Sequence, residues 1–180
     1  LIIAYGCSNF NIIPARPYVD IEPSKEVLVP EVKYNNIWER IFKENNFVDD
    51  PLPDETERYV KRFIKNKKHF NELILNGEYY LFEVLEELDR YRLPSEFALL
   101  PYIESNYDPF SISSSGAVGL WQLMPTTGKI YNLEKTWWVE GRHDPIESTK
   151  AAVKYLAYLY NRFDRNPTLT LIAYHAGPTY

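Results

Sequence analysis

Apolar and polar residues follow a helical period over most of the chain. In "NIWERIFKENN", from Asn36, the apolar residues Ile37, Ile41 and Phe42 recur at the spacing of an amphipathic helix. The longer stretch "DETERYVKRFIKNKKHFNELILNGEYYLFEVLEELDRY" keeps that period through Tyr59 and Phe63, and later through Leu81, Val84, Leu85 and Leu88. Asp54, Thr56 and Glu57, after Pro53, mark its start, and Gly77 ends or interrupts it. "LPSEFALLPYIESN" reads as one further helix, apolar at Phe97, Leu99, Leu100 and Ile103 and opened by Pro94 and Ser95. Pro101 inside it has no amide hydrogen, which predicts a kink or a local break in the hydrogen-bond ladder and a less regular end. The clearest helix is "DPIESTKAAVKYLAYLYNRF": Asp144 can cap it, Pro145 suits its first turn, and Ala152, Tyr155, Leu156 and Leu159 share one face. "PTLTLIAYHAG" reads as a shorter apolar helix closed by Gly177. No run joins strict alternation to hairpin turns, so the prediction is a predominantly α-helical protein.

The segment before Asn36 breaks this pattern. Pro14, Pro17, Pro23 and Pro30 interrupt residues 8–35 without a sustained period, which reads as an extended tether. Ahead of it, "LIIAYGCSNF" is too short to span a bilayer. It resembles the end of a bacterial lipoprotein signal peptide, with Ala4 and Gly6 before a cysteine, Cys7, that would become the lipidated first residue. A strand fragment with an incidental thiol is the alternative. Ser8 after the cysteine resembles the pattern of lipoproteins sent to the outer membrane, facing the periplasm.

Composition narrows the possibilities. The chain of 180 residues, 45% hydrophobic and 25% charged, is large enough for one sizeable core. A net charge of −5 argues against a nucleic-acid partner, because neutralising phosphates needs clustered Lys and Arg. The local basic run Lys61–Lys68 is flanked by acids and reads as a solvated helix face, with an anionic surface as the rival reading. One cysteine excludes a disulfide framework, and His69, His143 and His175 lack ligand spacing, so neither a metal nor a cofactor is expected. The aromatic content of 16% supplies core volume and flat faces on which a sugar could stack.

The candidate chemistry centres on "YIESNYDPFSISSSGAVGLWQLMP". Glu104 follows an apolar run near a helix end, where partial burial would raise its carboxyl pKa from about 4.3 toward the 6–7 of a general acid. Gly116 and Gly119 allow close backbone approach to a ligand, and the serines offer hydroxyls. Asp108, Glu134, Glu140 and Asp144 are the carboxylates to weigh as partners; Asp108 begins a turn and Asp144 is better explained as a cap. "YNLEKTWWVEGRHD", with Trp137 and Trp138, would form either a sugar-stacking wall or a loop pinned to the core.

The run Glu104, Ser105, Pro109, Ser113, Gly116, Ala117, Gly119, Leu120, Gln122, Met124 and Pro125, followed by "AYHAG" at Ala173–Gly177, resembles the paired motifs of the lytic transglycosylases with a lysozyme-like SLT domain. The "LPSEFALLPYIES" lead-in and "GLWQLMP" are most similar to the membrane-bound, D-like branch. The resemblance, over about residues 50–178, implies a lysozyme-like helical domain, taken as 93–180 and expected to be truncated at its C-terminal end; the residue pattern adds a helical region over 36–92 and a signal remnant and tether over 1–35. It further implies non-hydrolytic cleavage of the β-1,4 bond between N-acetylmuramic acid and N-acetylglucosamine in peptidoglycan, leaving 1,6-anhydro ends. Glu104 would be acid and then base. Ser113, Gln122, Met124, Trp121 and Tyr174 would contact or line the substrate site. His175 stands where the family carries asparagine, and a lone histidine of this kind is expected to be structural. A goose-type muramidase using water, or a non-catalytic glycan-binding lipoprotein, are the rival readings.

Overall fold

The computed structural model describes residues 21–23, 36–42 and 54–177. Cys7 and most of the tether fall outside this range, as does the side chain of His69. The described part is helical: α1 (Ile37–Ile41), α2 (Asp54–Lys65), α3 (Lys67–Gly77), α4 (Leu81–Arg90), α5 (Leu100–Glu104), α6 (Pro125–Ile130), α7 (Pro145–Arg162) and α8 (Pro167–Ala176). Two 3-10 turns, Ser95–Leu99 and Gly141–His143, sit between them. Extended pairing among the described residues is limited to isolated antiparallel bridges.

The core forms where the apolar faces of α4 and α7 meet. Val84, Leu85 and Leu88 from α4 and Ala152, Val153, Leu156 and Leu159 from α7 belong to one buried cluster. Phe97 joins it from the 3-10 turn, edge-on to Tyr160 of α7 with ring centroids 5.8 Å apart. Burying each such side chain is worth about 1.5–3 kcal/mol, the largest stabilising contribution in the domain. The helix ends are closed by short polar side chains. Asp144 Oδ1 accepts from the amides of Ile146 and Glu147 at the start of α7, and Asn166 does the same for Leu169 in α8. Asn36 caps α1, whose last carbonyl, on Ile41, receives the Ser95 hydroxyl at 2.8 Å. Arg40 ties α1 to α4 through Glu86 and Asp89. Ile21, inside the proline-rich segment, is half-buried against the core.

The single helix expected from Pro94 on, kinked or broken at Pro101, is a 3-10 turn followed by the short α5. Pro101 lies in the first turn of α5, where a missing amide hydrogen removes no helical bond, so the proline starts a helix rather than bending one. Ile103, expected to face the core, is exposed. The reason is length: α5 spans about one turn and can bury only Leu100 and Pro101.

Candidate active site

Glu104 is the last residue of α5, and the chain then turns sharply. Asn106 and Tyr107 take left-handed backbone angles, φ 59° and 58°. The buried Tyr107 fixes that turn by donating its hydroxyl to the Ala98 carbonyl at 2.8 Å while its ring packs edge-on against Tyr102 at 4.5 Å. Ser105 joins the helix end to the next loop, donating its hydroxyl to the Leu120 carbonyl at 2.8 Å.

That loop, residues 111–123, folds on two antiparallel bridges, Ile112 with Val118 and Val118 with Leu123. Gly119 has φ +81°, and a Cβ there would run into the Arg142 carbonyl oxygen, so glycine is required on both counts. Gln122, at φ 46°, donates its side-chain amide to the carbonyls of Gly119 at 3.0 Å and Ser111 at 3.3 Å. Ser113 accepts from the Ala117 amide at 3.0 Å and lies 2.9 Å from the Ser115 hydroxyl. Met124 is half-buried where α6 begins.

Arg142, which the sequence reading passed over, clamps this loop. Its side chain is 4% exposed and crosses Gly128 of α6, where a Cβ would sit 3.0 Å from its Cδ. Nη1 donates to the Gly116 carbonyl at 2.9 Å and the Leu123 carbonyl at 2.8 Å, bracketing the loop. The remaining donors, Nε and Nη2, form a bidentate pair with Glu140 at 2.7 and 2.8 Å. Chiefly because of this pair, with help from Lys135, the Glu140 carboxyl is pulled down to about 2.

α8 closes the site from the far end of the chain. Tyr174 is buried and donates its hydroxyl to the Trp121 carbonyl at 2.8 Å. Burial first, then the Glu104 carboxylate and Tyr155, push its phenol well above the ordinary range, so it stays a donor. The next residue, His175, brings Nδ1 to 3.6 Å from Glu104 Oε1. The carboxylate side chain is 15% exposed and the imidazole 80%. Glu104, Tyr174, His175 and the Gly119–Gln122 turn therefore form one constellation, and Ser113 follows Ile112 of the Ile112–Val118 bridge in the same loop.

Two expectations for this site are corrected. Trp121 was expected to line the substrate, but its ring is fully buried and its indole N–H donates to Thr149 of α7 at 2.9 Å, so its side chain anchors the loop from within. Its place between Leu120 and Leu123 was the available signal, since an aromatic in an apolar run packs inward by default. His175 was expected to lack a carboxylate partner, and Glu104 supplies one. By contrast His143 is a satisfied structural residue, its Nδ1–H donating to the Pro109 carbonyl at 2.7 Å. Trp137 and Trp138 are exposed, their rings 3.6 Å apart at the tip closed by the Lys135–Glu140 bridge, and so are not pinned to the core. Among the described residues no cluster of His, Cys, Asp and Glu is arranged to hold a metal ion.

The helical core, with a carboxylate at a short helix end facing a glycine-pinned loop, defines a lysozyme-like domain. The chain belongs to the transglycosylase SLT domain family, whose model matches residues 84–180. Membrane-bound lytic murein transglycosylase D of Escherichia coli strain K12 is 32% identical over 127 residues, covering 71% of this chain and 28% of that protein. A protein from Alteromonas sp. strain M-1, described as a putative tributyltin chloride resistance protein, is 41% identical over 88 residues, covering 49% of this chain and 42% of that protein. The chain thus spans little more than a quarter of the Escherichia coli relative, at 28%.

Proposed function

We propose that this chain is a peptidoglycan lytic transglycosylase that cleaves the β-1,4 bond between N-acetylmuramic acid and N-acetylglucosamine without water. The observation that carries this reading is that, among the described residues, Glu104 is the carboxylate placed beside the Gly119–Gln122 turn and α8. A two-carboxylate glycosidase places its second acid about 5–9.5 Å from the first, as nucleophile or as base for a water. Three of the candidates for that role are engaged elsewhere, and the fourth is turned to solvent. Asp108 accepts from the Phe110 amide, Asp144 caps α7, Glu140 pairs with Arg142, and Glu134 is exposed on the loop before the tryptophan tip. Membership of the transglycosylase SLT family supports the same reading.

In this mechanism protonated Glu104 gives its proton to the glycosidic oxygen as the bond to muramic C1 breaks. The carboxylate then takes the proton of the muramic C6 hydroxyl while that oxygen closes onto C1. The ring so formed is the 1,6-anhydro product, and the substrate's own N-acetyl group shields the positive charge at C1 in between. Ser113, Gln122 and Met124 are the proposed substrate contacts, because each is only partly buried. Tyr174 acts by holding the Trp121 carbonyl, and so the turn, in place. Trp137 and Trp138 are a proposed stacking wall for the glycan strand. Mass spectrometry of digested peptidoglycan is expected to show muropeptides ending in 1,6-anhydro-muramic acid. Reducing muramic ends would instead point to a goose-type muramidase.

The proposed location is the outer membrane, facing the periplasm, through a lipid on Cys7. Among the described residues no helix is long and apolar enough to cross a membrane. The Escherichia coli relative is membrane-bound by its name, which agrees with an anchor. Fatty-acid labelling in cells should vanish in Cys7→Ser, and labelling that persists would remove the anchor.

A further inference from the structure

His175 places an ionisable imidazole beside Glu104. Among the described residues, the Tyr174 phenol of α8 also faces the carboxylate and is held protonated by its burial, with the Tyr155 ring of α7 packed behind it. The loop segment 116–123 presents amides and carbonyls to the site and carries no charged residue. The separation of 3.6 Å is ion-pair distance, slightly beyond a direct hydrogen bond, so one bridging water or a small rotation of the exposed ring connects the two groups.

Resting on the transglycosylase reading, we propose that His175 is a positioning residue that stores the proton Glu104 spends, so that the pair rather than the carboxyl alone is loaded at neutral pH. A glutamate near 4.3 holds its proton in under about 1% of molecules at pH 7, whereas a histidine near 6.5 holds one in about a quarter, and a neighbouring carboxylate raises that share. When the imidazole carries the proton, the pair in the free site is ionic. A glycan strand that covers the ring removes water from both charges, which favours the neutral pair. The imidazolium Nδ1–H proton then passes to Glu104, leaving a neutral imidazole and a neutral carboxyl. Glu104 gives that proton to the glycosidic oxygen as the C1–O4 bond breaks, and regains one from the C6 hydroxyl as the O6–C1 bond forms. The regained proton returns to the pair, and no external acid is consumed.

The test is the pH profile of kcat/KM for the wild type, His175→Asn and Glu104→Gln, together with an NMR titration of the His175 ring. The alkaline limb of the wild type should move at least one pH unit toward acid in His175→Asn, with activity at pH 7 falling about tenfold and the acid-side maximum retained. The His175 pKa should fall by half a unit or more in Glu104→Gln. A limb that stays in place in His175→Asn, or a His175 pKa indifferent to Glu104→Gln, overturns the pairing. An active Glu104→Gln enzyme instead overturns the transglycosylase assignment of Glu104, which keeps the two failures distinguishable. His175 is exposed, so neither readout depends on a change in folding.

Discussion

Glu104→Gln is expected to lower the release of soluble muropeptides about 10²–10⁴-fold, the usual worth of one acid–base group, while leaving the thermal midpoint within a degree or two of wild type. The reasoning rests on how the side chain is held. Glutamine keeps the volume at the end of α5 but offers no exchangeable acid proton for the glycosidic oxygen. The charge partner that is lost, His175, is an exposed ring that water can solvate, so little stability goes with it. Glu104 also stands apart from the Arg142–Glu140 pair, which is the electrostatic fixture of the loop. A folded Glu104→Gln protein with undiminished release would show that the carboxyl is not the catalyst, and the non-catalytic reading would gain in its place.

The second large effect falls on Arg142. Arg142→Ala is expected to destabilise the domain by about 3 kcal/mol, the low end of what breaking a buried pair costs, because the stranded Glu140 still reaches water and Lys135. Activity should fall further than stability alone explains, since the carbonyls of Gly116 and Leu123 lose the donor that brackets the loop. Urea unfolding measures the first and muropeptide release from the still-folded fraction the second. A pH dependence follows from the same pair. With its carboxyl lowered from 4.5 to about 2 in the folded protein, Glu140 contributes stability that is complete above about pH 4.5 and is lost as the pH falls toward 2. Glu140→Gln should flatten the stability curve across that window; an unchanged slope would mean that the ion pair is not formed in solution.

The helical character of this protein was legible because local signals and packing agree. Asp144, Pro145 and the apolar face Ala152–Tyr155–Leu156–Leu159 specify α7 without help from elsewhere, and the structure places that face in the core. Around Pro101 the local pattern told only half: the proline marked an interruption, but the apolar period running across it hid that a new helix begins there. Within the site, Glu104 and the Gly116–Gly119 spacing could be read because the helix end and the turn are local features. Arg142 could not, since its meaning lies in carbonyls of Gly116 and Leu123 that only tertiary folding brings to it. The same holds for His175, which sits on α8 and meets Glu104 of α5 only through the packing of Tyr174 against the Trp121 turn. Trp121 shows the converse limit: its position in a motif says that it matters to the loop, while its indole hydrogen bond to Thr149 shows how.

The most direct measurement of the central claim is digestion of purified peptidoglycan in ¹⁸O-labelled water. If Glu104 drives closure of the muramic C6 hydroxyl onto C1, the freshly formed ends carry the anhydro ring and take up no label. Label at muramic C1 would show that water is the nucleophile and would contradict the account.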